Sequence, residues 1–179
     1  MTGGRELAGR IADRVRSGSG VERVEPVDAG GRRRTAVVHL AGADPVVVRI
    51  ARNPEATRVE ARLLEAVTER TSVPVPPVLE HGTVDGEGWL ATGLVEGTDL
   101  HASFTRLDPD DRRRIARRFG RYLAELHDAF RFDACGPLTV TDGDLAADGS
   151  GDPAAVAGSG SDAGATGGEG GDAGGTVEG

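Results

Sequence analysis

Beyond Val140 the chain loses nearly every residue that could build a core. Residues 141–179 hold 13 of the 28 glycines and 8 of the 29 acidic residues, with no arginine, isoleucine, phenylalanine or tryptophan. Such a stretch buries too little apolar surface to offset the entropy of ordering its backbone. A disordered Gly/Asp/Ser-rich tail is therefore expected over 141–179, and any packed domain must come from residues 1–140. That part carries 21 carboxylates against 21 arginines, so the formal net charge of −8 belongs to the tail. A charge held there speaks to solvation and not to a site on the fold.

Within the first 140 residues, hydrophobic periodicity marks the elements. Leu7, Ile11 and Val15 recur every four residues beside Ala8 and Ala12, which predicts a short helix ending at Ser17 to Gly20. Three strand-like runs follow, 21–27, 35–40 and 46–50, separated by the turn-like segments Ala29-Gly30-Gly31 and Ala41-Gly42-Ala43-Asp44. Asn53 and Pro54 then open a helix to about Arg70, with Asn53 as N-cap and Pro54 where its missing N–H is harmless. After the proline-rich stretch 73–77, two further strands, 78–84 and 89–95, are joined through 85–88. Asp108 and Pro109 start a long helix with the apolar stripe Ile115, Phe119, Tyr122, Leu123, Leu126 and Phe130, which ends near Phe132.

Glu60 is the most informative residue of the second helix. At about 100° per residue it falls between Val59 and Leu64, inside the apolar arc, while Arg58, Arg62, Glu65 and Glu69 take the opposite face. A carboxylate in that arc needs a partner, and Arg49, set in a run of valines and isoleucine, is the cation that the strand pattern offers. A strand cation paired with a helix carboxylate is the arrangement that holds nucleotide phosphates in kinase-like folds. The same two residues read equally well as a strand cation and a helix-edge carboxylate, each in its own water.

Five stretches in order weigh on that choice: Val46-Val47-Val48-Arg49-Ile50, Val59-Glu60-Ala61-Arg62-Leu63-Leu64, Val73-Pro74-Val75-Pro76-Pro77-Val78-Leu79, Leu94-Val95-Glu96-Gly97-Thr98-Asp99-Leu100 and Gly120-Arg121-Tyr122-Leu123-Ala124-Glu125-Leu126-His127. Together they resemble the N-terminal portion of the aminoglycoside phosphotransferase and choline kinase branch of the protein-kinase-like fold. The resemblance implies an α+β fold: a five-stranded antiparallel sheet plus helix, then the first long helix of an incomplete second lobe. Its organisation would be an N-terminal helix over 1–20, a nucleotide-binding lobe over 21–97, a linker and the start of the second lobe over 98–140, and the tail. It further implies ATP as cofactor, with Gly30 and Gly31 over the phosphates, Arg49 as phosphate cation and Glu60 as its helix partner. Gly93 to Val95 would be the hinge that binds adenine, preceded by Thr92. The acceptor would be a small-molecule hydroxyl.

Two departures qualify what the resemblance implies. Arginine stands at position 49 where the family more often has lysine, which presents a planar fork in place of a compact ammonium. The family's catalytic loop, H-G-D-x-x-x-x-N, and the metal-binding aspartate that follows it do not occur in these 179 residues; Asp142-Gly143-Asp144-Leu145 imitates the loop with aspartate in the histidine position. No catalytic residue and no ligand for the magnesium of the complete enzyme is therefore assigned, and the chain alone is expected to be inert. The lone Cys135 fits a reducing cytoplasm, and no run approaches a membrane span. Arg113, Arg114, Arg117, Arg118 and Arg121 raise an alternative, a non-catalytic nucleotide-binding or scaffold module that uses the basic face of helix 109–130. Nucleic acid is a poor fit for that face: it lacks an aromatic to stack bases, and Asp110 with Arg114 and Arg121 with Glu125 can pair within the helix. The apolar stripe of the same helix is expected to meet a second lobe supplied in trans or, without it, another copy of the chain.

Overall fold

A computed structural model describes residues 2–27 and 34–150 of the chain. Helix α1 (Thr2–Val15) leads into strands β1 (Val21–Val27), β2 (Arg34–Leu40) and β3 (Ala43–Ala51), then α2 (Pro54–Arg70), β4 (Val78–Val84) and β5 (Glu87–Gly93). The sheet is antiparallel throughout with strand order β1-β2-β3-β5-β4, so the meander of the first three strands is continued by β5, and β4 forms the edge. This is the expected α+β arrangement of five strands and helices. The last strand lies two residues earlier than its predicted span of 89–95, because Asp85 and Gly86 alone make the turn, with φ of 50° and 77°. Two positive φ values in succession give the turn a twist that matches the strands it joins.

Alternation along β3 explains how one sheet serves two helices. Val46, Val48 and Ile50 are buried on one face, together with Ala36, Val38, Leu40, Trp89 and Ala91. Leu7, Ala8, Ile11 and Ala12 of α1 close over them as the main core. The residues between, Val47 and Arg49, point to the other face, where α2 lies. Gly88 lets α2 approach β5, since a Cβ there would come within 2.6 Å of the Pro54 Cα and collide with the Thr57 hydroxyl. The Asn53 side chain caps α2 by accepting from the Glu55 N–H at 3.0 Å.

After β5 come the short helix α3 (Leu100–Ser103), a 3₁₀ turn (Phe104–Arg106) and the long helix α4 (Pro109–Ala129). Asp108 caps α4 by accepting from the N–H groups of Asp110 and Asp111, both at 2.8 Å. No residue of α4 is fully buried, and Phe119 and Leu123 of the predicted stripe are 60% and 54% exposed. Among the described residues, no helix is long and apolar enough to cross a membrane.

The structure corrects the expected start of the disordered tail. Strands β6 (Leu138–Thr141) and β7 (Asp144–Ala147) form a hairpin across that boundary, turning at Asp142 and Gly143 with φ of 53° and 88°. An Asp-Gly pair between short apolar runs favours this turn, and local chemistry outweighs the low apolar content around it. The Asp148 N–H donates to the Pro137 carbonyl at 3.0 Å and closes the base of the hairpin. The rest of the predicted tail, 151–179, lies outside the described residues.

Candidate functional site

Cross-strand register assembles one wall of a cleft. Arg49 of β3 stands opposite Leu90 of β5, and Val47 opposite Thr92, so all four side chains share the face that α2 overlies. From α2 come Glu60 and Leu64, and Pro76 closes the side, leaving a cavity of about 130 Å³. Four of the seven lining residues are apolar. The remaining three, Arg49, Glu60 and Thr92, place charge and a hydroxyl at its border.

Arg49 and Glu60 form an ion pair through Nη1 and Oε1. Their side chains are 33% and 23% exposed, so the pair is partly withdrawn from water while remaining open to a ligand in the cleft. Such shielding raises the strength of each charge toward a third group above its value on an open surface. The arrangement answers the question left open by periodicity: the two side chains meet across the strand–helix interface.

The other expected positions fall less evenly. Thr92 is buried on the cleft wall. Gly93 ends β5, but its N–H donates to the Pro77 carbonyl at 2.9 Å and is already engaged. A Cβ at Gly93 would come within 2.9 Å of the Pro77 ring, so glycine permits that contact. Leu94 and Val95 lie just beyond the strand and are exposed. Gly30 and Gly31 lie outside the described residues. Among the described residues, no group of three or more His, Cys, Asp and Glu side chains is placed to hold a metal ion.

Several cleft residues were not singled out from sequence. Val47 and Leu90 follow from Arg49 by strand alternation and by cross-strand register, a signal that needed the pairing of β3 with β5. Leu64 follows from Glu60 by one helical turn. Pro76 carried no signal of its own beyond the proline-rich stretch.

The basic face of α4 is partly neutralised, by pairs other than those expected. Arg113 binds Asp110 at 2.5 Å and Arg114 binds Asp111, both three residues apart. Glu125, expected to pair with Arg121, instead accepts from the backbone N–H and the hydroxyl of Ser72, each at 2.8 Å. It thus ties α4 to the turn after α2, where Arg70 also stacks over the Phe130 ring at 5.4 Å.

A family model described as the phosphotransferase enzyme family (APH) matches residues 23–154, which include strands β2 to β5 and most of β1, α2, the cleft and the β6–β7 hairpin. No curated protein matches the chain.

Proposed function

Because the chain belongs to the phosphotransferase enzyme family, we propose that the cleft between β3, β5 and α2 is an ATP site serving phosphoryl transfer to a small-molecule hydroxyl. The observation that carries this reading is the Arg49–Glu60 ion pair at the border of an apolar cavity. Residues 21–97 form the nucleotide-binding lobe in this reading. The apolar wall of Val47, Leu64 and Leu90 accepts the flat ring of the base, and Arg49, held in place by Glu60, faces the phosphates. Guanidinium donors in a fixed fork suit phosphate oxygens, so arginine serves in place of lysine, with a different approach angle.

The hinge role falls chiefly to the backbone at Val95, since the Gly93 N–H is already given to Pro77. The sequence holds no H-G-D-x-x-x-x-N segment, so binding and orientation of the nucleotide, and not transfer, are the functions proposed for these 179 residues.

The test is ATP titration of the full chain by calorimetry, beside Glu60→Ala and Glu65→Ala. Weak binding is expected for the wild type, with no measurable transfer to an added acceptor. Glu60→Ala weakens binding and lowers stability by about 2 kcal/mol, because Arg49 loses its counter-charge in a partly buried place. Glu65→Ala removes only a distant, exposed partner of Arg62 and changes neither. Equal behaviour of the two variants sinks the assignment.

A further inference from the structure

Helix α2 is gripped from two sides, and the second grip has no role in the reading above. The side opposite Glu60, with Arg58 and Arg62, faces the β6–β7 hairpin. Arg62 donates from Nε to the Gly143 carbonyl at 2.8 Å, and Arg58 donates from Nη2 to the Val140 carbonyl at 3.1 Å. Ala66, one turn beyond Arg62 on that side, is fully buried. Leu138, Val140, Leu145 and Ala147 of the hairpin are half-buried.

We propose that the β6–β7 hairpin is a brace that fixes the position of α2 and thereby holds Glu60 against Arg49, with Arg62 and Arg58 as positioning residues for the cleft. The geometry supports this lever. Glu60 sits midway between the two arginines along the helix and on its other side, so a shift of α2 released by the hairpin moves the Glu60 carboxylate relative to β3. Charged donors on backbone carbonyls are among the stronger hydrogen bonds, and two of them spaced one helical turn apart resist both sliding and rotation of α2. The Arg62 side chain is only 22% exposed, and its guanidinium is steadied by Glu69 at 3.4 Å. The Asp142-Gly143 turn presents the Gly143 carbonyl, so the hairpin's own turn geometry enters the grip.

This inference rests on the proposed ATP site for its functional readout, and on helix dynamics for a readout of its own. Arg62→Ala and Glu60→Gln are combined in a double-mutant cycle on the full chain. ATP affinity is measured by calorimetry, and the exchange rates of α2 amides 58–67 by deuterium labelling. Arg62→Ala is expected to speed α2 exchange by about tenfold while β2 and β3 are unchanged. It should weaken ATP binding by about fivefold in the wild-type background and not at all beside Glu60→Gln, as coupled residues behave. Arg58→Ala, at a more exposed position, repeats the exchange measurement should Arg62→Ala fold poorly. Unchanged α2 exchange in these variants overturns the brace, as does an undiminished loss of ATP affinity beside Glu60→Gln. If the wild-type chain binds no ATP, the proposed function falls, and the brace stands or falls on the exchange rates alone.

Discussion

Helices α2 and α4 begin with the same grammar and end in opposite surroundings. Each starts with an Asx residue and proline, Asn53-Pro54 in one and Asp108-Pro109 in the other, and each carries an apolar stripe. Yet α2 is packed between sheet and hairpin, with Thr57, Ala61, Ala66 and Val67 buried, whereas no residue of α4 is. Caps and periodicity specify that a helix forms; only the neighbouring layers decide what its stripe is worth. The functional reading follows the same division, since Glu60 gains its meaning from β3 beneath it.

The largest test of that contrast substitutes leucines of the two surroundings. Leu90, fully buried on the cleft wall beneath α2, should cost about 3 kcal/mol on Leu90→Ala, through lost burial and the cavity left behind. Leu123→Ala on α4 should stay within about 0.5 kcal/mol. Urea unfolding of both variants measures the gap, and similar losses would show that α4 is packed in solution against something that supports it.

A second test addresses that exposed stripe directly. Phe119 and Leu123 together present an apolar patch, so the chain alone is expected to bind hydrophobic dyes and to associate as its concentration rises. Phe119→Glu should abolish both effects in sedimentation and fluorescence measurements while leaving α2 exchange untouched. A wild-type chain that stays monomeric and dye-free at high concentration removes the contrast.

The smallest effect separates the two caps by charge. Accepting from the Asp111 N–H, and next from that of Asp110, holds the Asp108 carboxyl below its ordinary range. The ionised cap therefore stabilises α4 above the ordinary aspartate pKa, and this contribution is lost as the pH falls through the lower folded value. Asn53 caps α2 without a titrating group. Amide exchange at Asp110 and Asp111 should accelerate on acidification below about pH 4 relative to α2. In Asp108→Asn the difference should vanish.

Much of this architecture was legible in sequence because its signals are local. The run of branched apolar residues over 46–50 marked β3, and the Asx-Pro pairs marked both long helices. The Arg49–Glu60 pairing could be anticipated because each residue breaks an apolar pattern and so demands a partner. What escaped depended on long-range placement. The order that puts β5 beside β3 determines which residues join Arg49 on the cleft wall, and no local pattern states it. The hairpin over α2 was hidden for a different reason: composition averaged over 141–179 masked the Asp142-Gly143 turn, whereas the comparable Asp85-Gly86 turn fell within the longer connection 85–88 read between two apolar runs. Arg58 and Arg62 were legible only as residues of the face opposite the apolar arc, and periodicity could not show that they reach carbonyls of a hairpin some 80 residues further along the chain.

Trp89 is the chain's sole tryptophan, and it follows from strand alternation that its indole lies on the α1 side while its neighbour Leu90 lines the cleft. It is 3% exposed, with the Arg14 guanidinium 5.3 Å from its ring centroid and Gly82 leaving room against the ring. Intrinsic fluorescence is therefore an optical probe of one layer only. Its emission reports the seating of α1 on the sheet, and a ligand entering from the opposite side leaves the chromophore's surroundings intact, so filling of the cleft calls for a label placed there.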